Sequence, residues 1–150
     1  MPKSFIIPTA ITLLLLSGCA QAVALDPAAD ANDPTCAEVI IRLPDTVAEL
    51  ARRSTNAQST GAWGEPAGVI LRCGVETPGP SKLPCITVDG VDWLRDDSND
   101  PTFLFTTYGR TPAVEVAIDA TKASGESTLS DLSASVAEIP ATKTCESKTP

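Results

Sequence analysis

Ile86-Thr87-Val88-Asp89-Gly90-Val91-Asp92-Trp93 is the stretch on which the fold turns. Asp-Gly between alternating apolar and polar residues is the strongest short-range signal for a two-residue β-hairpin. That register sets Val88 opposite Val91 and Ile86 opposite Trp93. All four apolar side chains then share one face, which needs a second layer to cover it. Working outward, residues 103–108 and Ala113–Asp119 flank Gly109-Arg110-Thr111-Pro112 as a second hairpin, with Val114, Val116 and Ile118 on one side. Residues 68–75 alternate in the same way, with Val69, Leu71, Cys73 and Val75 against Ile70, Arg72 and Gly74. Residues 76–84 hold three prolines and a glycine and read as a constrained loop; residues 54–61 and 95–101 read as polar loops.

Helical spacing brackets these strands. Asp33 can cap a helix with Pro34 in its first turn, and Cys36, Val39, Ile40 and Leu43 fall on one face until Pro44. Asp45 predicts a second short helix through Val47, Ala48 and Leu50, ending in Arg52-Arg53. That basic pair complements a helix C-terminus, with a phosphate or carboxylate clamp as the rival reading. Thr128 and Asp131 resemble a capping box ahead of Leu129, Leu132, Val136 and Ile139. The expectation is an α+β domain: an antiparallel sheet of about five strands, helices packed on one face, stapled by disulfides.

The N-terminus carries an address. Lys3 precedes an apolar run over residues 5–16. Twelve helical residues span about 18 Å, short of a hydrocarbon core of about 30 Å, so the run reads as a signal-peptide h-region. It ends in Leu16-Ser17-Gly18-Cys19, which matches the bacterial lipobox, where the cysteine takes a diacylglycerol and the chain is cut just before it. The expected organisation is a lipoprotein signal peptide at 1–18, lipidated Cys19 with a flexible tether of small and acidic residues at 19–33, one domain at 34–146 and a tail at 147–150. The protein is then held on the extracytoplasmic face of the cell membrane by its lipid.

Composition closes other routes. The 150 residues contain no histidine, which excludes Ser-His-Asp and Cys-His catalytic pairs and imidazole metal ligands. The net charge of −8 becomes −9 once Lys3 is removed with the leader, and argues against nucleic acid and anionic lipid surfaces as partners. Beyond Cys19 the cysteines are Cys36, Cys73, Cys85 and Cys145, an even count that reads as two disulfides with three connectivities. Cys73–Cys85 with Cys36–Cys145 is the preferred pairing. The absence of Cys-x-x-Cys speaks against zinc, and no other cofactor is implied. Asp96, Ser98 and Asp100 begin like a calcium loop, but Pro101 and Thr107 stand where its glycine and glutamate belong.

Four segments together resemble one family: Ala62-Trp63-Gly64-Glu65-Pro66, Val69-Ile70-Leu71-Arg72-Cys73-Gly74-Val75, Val88-Asp89-Gly90-Val91-Asp92-Trp93, and Thr106-Thr107-Tyr108-Gly109-Arg110-Thr111-Pro112-Ala113-Val114-Glu115-Val116. They are similar to an actinobacterial family of small exported proteins classified as domain of unknown function three-five-one-five. The resemblance implies a bacterial envelope protein and brings no activity, cofactor or catalytic residue. Two functional classes follow from the residues. One is a non-enzymatic binding or assembly module engaging an envelope protein or cell-wall component, with Trp63, Tyr108 and Arg110 as the expected partner contacts. The alternative is an envelope hydrolase using an Asp/Glu pair, which needs no histidine.

Overall fold

The computed structural model describes residues 21–145; the signal peptide, Cys19 and the tail at 147–150 lie outside them. The element order is α1 (Pro34–Ile41), β1 (Thr46–Val47), β2 (Leu50–Arg53), β3 (Thr60–Trp63), β4 (Val69–Val75), β5 (Cys85–Val88), β6 (Val91–Asn99), β7 (Thr102–Thr107), β8 (Ala113–Asp119) and α2 (Gly125–Val136). One antiparallel sheet runs β1-β2-β3-β4-β8-β7-β6-β5. The α+β class holds, with eight strands where the sequence predicted about five.

The deciding hairpin forms in its expected register, Val88 opposite Val91 and Ile86 opposite Trp93. Asp89 and Gly90 both take positive φ, 45° and 78°, as a type I′ turn requires. From there the rows of the inner face can be followed across strands. Trp93 lies beside Thr107, Phe105 beside Val116, and Val116 beside Leu71; Phe103 lies beside Ile118, and Ile118 beside Val69. Both helices lie on this face. α1 packs on β4, and α2 packs on β1, β5 and β8, burying Leu129, Leu132 and Val136.

Several expectations are corrected. The second helix is instead the hairpin β1–β2, whose turn residues Ala48 and Glu49 have φ of 46° and 65°. Such a turn is unfavourable without glycine or asparagine. It is held because Val47 is fully buried and the Ala48 N–H donates to Asp131 Oδ2 of α2 at 2.8 Å. Arg52 does complement a helix end, but that of α1: its guanidinium donates to the carbonyls of Leu43 (2.9 Å) and Ile40 (3.4 Å). Arg53 donates to the Gly64 and Gln21 carbonyls and pairs with Glu65, so neither arginine is free as a clamp. Residues 95–99 continue β6 and do not form a loop. α2 begins one turn before the expected capping box, with Ser124 as its cap.

The segment expected as a flexible tether is laid along the domain from Gln21 onward. Val23 bridges Thr55, Leu25 N–H donates to Asn56, Asp30 N–H donates to the Gly74 carbonyl at 2.9 Å, and buried Ala31 accepts from Ser59 Oγ. The expected disulfides are also corrected, to Cys36–Cys73 and Cys85–Cys145. A bridge from Cys73 to Cys85 fails because residues 76–84 carry the chain from β4 to the far edge of the sheet, with β8, β7 and β6 lying between. A disulfide needs its Cα atoms within about 7 Å. The loops closed by the observed bridges, 37 and 60 residues, give about 4 kcal/mol each on the loop-entropy account.

Gly74 tests the packing of the N-terminal segment. Its φ is 97°, and a Cβ there would run into the backbone of Asp30 and Ala31. Gly74→Ala should cost about 2 to 4 kcal/mol in urea unfolding, whereas Gly90→Ala, with positive φ but open space around it, should cost about 1 kcal/mol. Equal costs would mean that residues 30 and 31 do not press on β4.

Candidate functional site

The inner face of the sheet has a break in its pattern. Val91, Trp93 and position 95 point to the helices in turn, and position 95 is Arg95, opposite Phe105 on β7. Its guanidinium lies over the Phe103 ring at 5.0 Å, a cation–π arrangement, and its nearest carboxylate is Asp97 at 3.4 Å. Arg95 Nε is shut off from solvent and donates to no acceptor among the described residues.

Arg95 belongs to a cleft of about 570 Å³ between β5–β7 and the N-terminal half of α2, a size usual for small-molecule sites. Ile86, Val88, Phe105 and Leu129 form its apolar lining. One end is closed: Ser133 Oγ donates to the Val88 carbonyl at 3.1 Å, and Ser130 Oγ donates to Asp89. The other end opens between Arg95 and Phe103 on the sheet side and Gly125 and Glu126 on the helix side. Gly125 comes close to Phe105, since a Cβ there would meet the ring at 3.7 Å.

The residues expected as partner contacts lie elsewhere, and two of them are interior. Trp63 is fully buried and donates from Nε1 to the Pro44 carbonyl at 3.0 Å, so it packs β3 under the end of α1 and offers no surface. Arg110 is 5 % exposed, with its guanidinium donating to the carbonyls of Ile139 and Gly90. Burial pushes its pKa down, and the charge of Asp92 opposes that shift. Asp92 is itself buried, accepting from Thr87 Oγ1 and from the Cys145 N–H, both at 2.6 Å. Tyr108 is half-buried. The turn it begins is covered by the C-terminal segment, where Thr142 N–H donates to the Gly109 carbonyl at 2.7 Å and Ala141 bridges Arg110. Both arginines of interest looked like surface charges because each stands beside turn residues.

Three carboxylates among the described residues have a defined electrostatic setting. Asp33, Asp96 and Asp119 are each held below the usual carboxylate range by hydrogen bonds within their own turns, the setting of a fixed anion and not of a proton donor. Asp96 lies in β6 with Ser98 N–H bonded to it, and no group of three or more metal-ligating side chains occurs among the described residues.

Asp119 shapes the cleft indirectly, because it ends β8 and organises the turn that starts α2. It accepts from Lys122 Nζ (2.8 Å) and from Thr121 Oγ1 (2.6 Å) and N–H (3.0 Å), which lower its pKa from 3.8 to about 2. A lowered carboxylate pKa stabilises the fold above the unfolded value and loses that contribution as pH falls through the folded one. Asp119→Asn should therefore be less stable than the parent at pH 5, with the difference closing between pH 4 and pH 2. Parallel thermal unfolding at those pH values reads it, and a pH-independent gap would refute the assignment.

No curated protein and no solved structure matches the chain. A family model matches residues 9–144, nearly the whole sequence, including both helices, all eight strands and the cleft. The chain therefore belongs to the family described as Protein of unknown function (DUF3515).

Proposed function

We propose that the protein is a membrane-anchored extracytoplasmic lipoprotein whose domain is a non-enzymatic binding module of the bacterial cell envelope, taking its ligand in the cleft beside Arg95. The observation that carries the anchor is the cysteine ledger. Four of the five cysteines are joined in two bridges, and the one left over, Cys19, follows Leu16-Ser17-Gly18 at the end of an apolar run. Two acyl chains on that thiol suffice for stable attachment. Gln21, two residues on, is already bonded to Arg53, so the anchor holds the domain within about 7 Å of the headgroups.

The binding role is supported by the cleft itself, an apolar slot with one half-exposed cation, Arg95, in its wall. The carboxylates described above give the hydrolase reading no comparable support. Cys19→Ala should move the protein from the membrane to the soluble fraction and abolish labelling with a radioactive fatty acid. Retention of the mutant in the membrane fraction would overturn the anchor.

A further inference from the structure

The mouth of the cleft carries two opposite charges, Arg95 and Glu126, which do not pair with each other among the described residues; Arg95 instead has the exposed Asp97 at 3.4 Å, a solvent-screened contact that a phosphate could displace. A ligand head bearing one anionic and one cationic group would answer both. Behind the mouth, the lining runs along β5 from the level of Arg95, at Pro84, to Val88, four residues or about 13 Å, before the Ser130–Asp89 contact closes it. That length exceeds the side chain of any amino acid and suits an unbranched apolar chain lying against Ile86, Val88, Phe105 and Leu129. The net charge of the chain, −8, disfavours a ligand that is itself a net anion, and a head of zero net charge avoids the repulsion.

We infer that the cleft is a lipid site for a single-chain zwitterionic phospholipid, with its phosphate on Arg95, its ammonium toward Glu126 and its acyl chain running to the closed end. The inference rests on the proposed binding role of the cleft, and the proposed anchor places the site where such lipids are at hand. A guanidinium stacked on Phe103 is fixed in plane, and its solvent-facing Nη groups are the donors a phosphate oxygen would meet.

The test uses the full-length protein in phosphatidylcholine vesicles and a single-chain phosphatidylethanolamine with a ten-carbon chain ending in a photoactivatable diazirine. Adducts should map by mass spectrometry to the peptides holding Val88 and Leu129. Arg95→Gln should lower their yield about tenfold, as expected for loss of a charged hydrogen bond. Glu126→Gln, an exposed change in the first turn of α2 that leaves the fold standing, should lower it in the same direction. The same probe with glycerol in place of ethanolamine, a net anion, should label less than the zwitterion. Adducts scattered over the surface, equal yields from the two heads, or equal yields from parent and both variants would overturn the lipid site. Displacement of the probe by an apolar tetrapeptide with free termini, but not by unlabelled lipid, would overturn it in favour of a peptide ligand. A protein that fractionates with membranes through Cys19 yet labels nowhere in the cleft would refute the ligand and leave the anchor intact.

Discussion

β4 and β8 pair from Val69 with Ile118 to Val75 with Ala113, and until they do the chain is two separate β-systems, each with an apolar face it cannot cover alone. The connection at residues 76–84 causes this dependence, because it takes the chain away from β4 to the opposite edge and makes it walk back through β5, β6 and β7. Closing so long a loop costs entropy before the ladder can repay it. Neither disulfide spans that seam. Cys36–Cys73 ties α1 to β4 within the first system, and Cys85–Cys145 ties the C-terminal segment to β5 within the second. The seam is held by the ladder and by α2, which belongs to the second system in sequence and reaches into the first. Asp131 accepts from Ala48 N–H, and Ser135 Oγ donates to the Arg42 carbonyl at 2.7 Å.

Local patterns were legible where the local signal and the tertiary demand agreed. Asp89-Gly90 could form only one kind of turn, and β4, β7 and β8 alternate because one face of each meets the core. The misreadings share a cause: in each, a distant residue overrides a local preference. Ala48-Glu49 accepts an unfavourable turn because α2 supplies a carboxylate, and the Ala- and Asp-rich segment after Cys19, too polar to make a core, lies on a surface that supplies its hydrogen-bond partners. The disulfides were misread by proximity in sequence, which a prolyl loop spanning four strands defeats. Trp63, at the end of β3, lacks the alternation that marks burial, since all four residues of that strand are buried.

The site was missed for a similar reason. Ending the strand at Trp93 put Arg95 in a presumed loop, where an arginine attracts no notice. Continuing the alternation Val91, Trp93, Arg95 would have set a cation on the inner face opposite Phe105, and that discord is the signal the sequence does contain. What it does not contain is the gap above Arg95, because that depends on where α2 begins and how far it reaches.

The gap follows from where the helices sit. Asp131 and Ser130 of α2 meet the β1–β2 and β5–β6 turns respectively, so the sheet curls around the helix and brings its two edges to it. With α1 on β4 and α2 held between β1, β8 and β5, the space left beside the start of α2 falls over β5–β7. A fold selected for stability alone would put an aliphatic residue at position 95 and a bulky one at position 125, closing the floor and mouth. The chain has an arginine with an unspent donor at the first and a glycine at the second, where a Cβ would have only the Phe105 ring within 4 Å. Both choices keep the slot open and charged at one end.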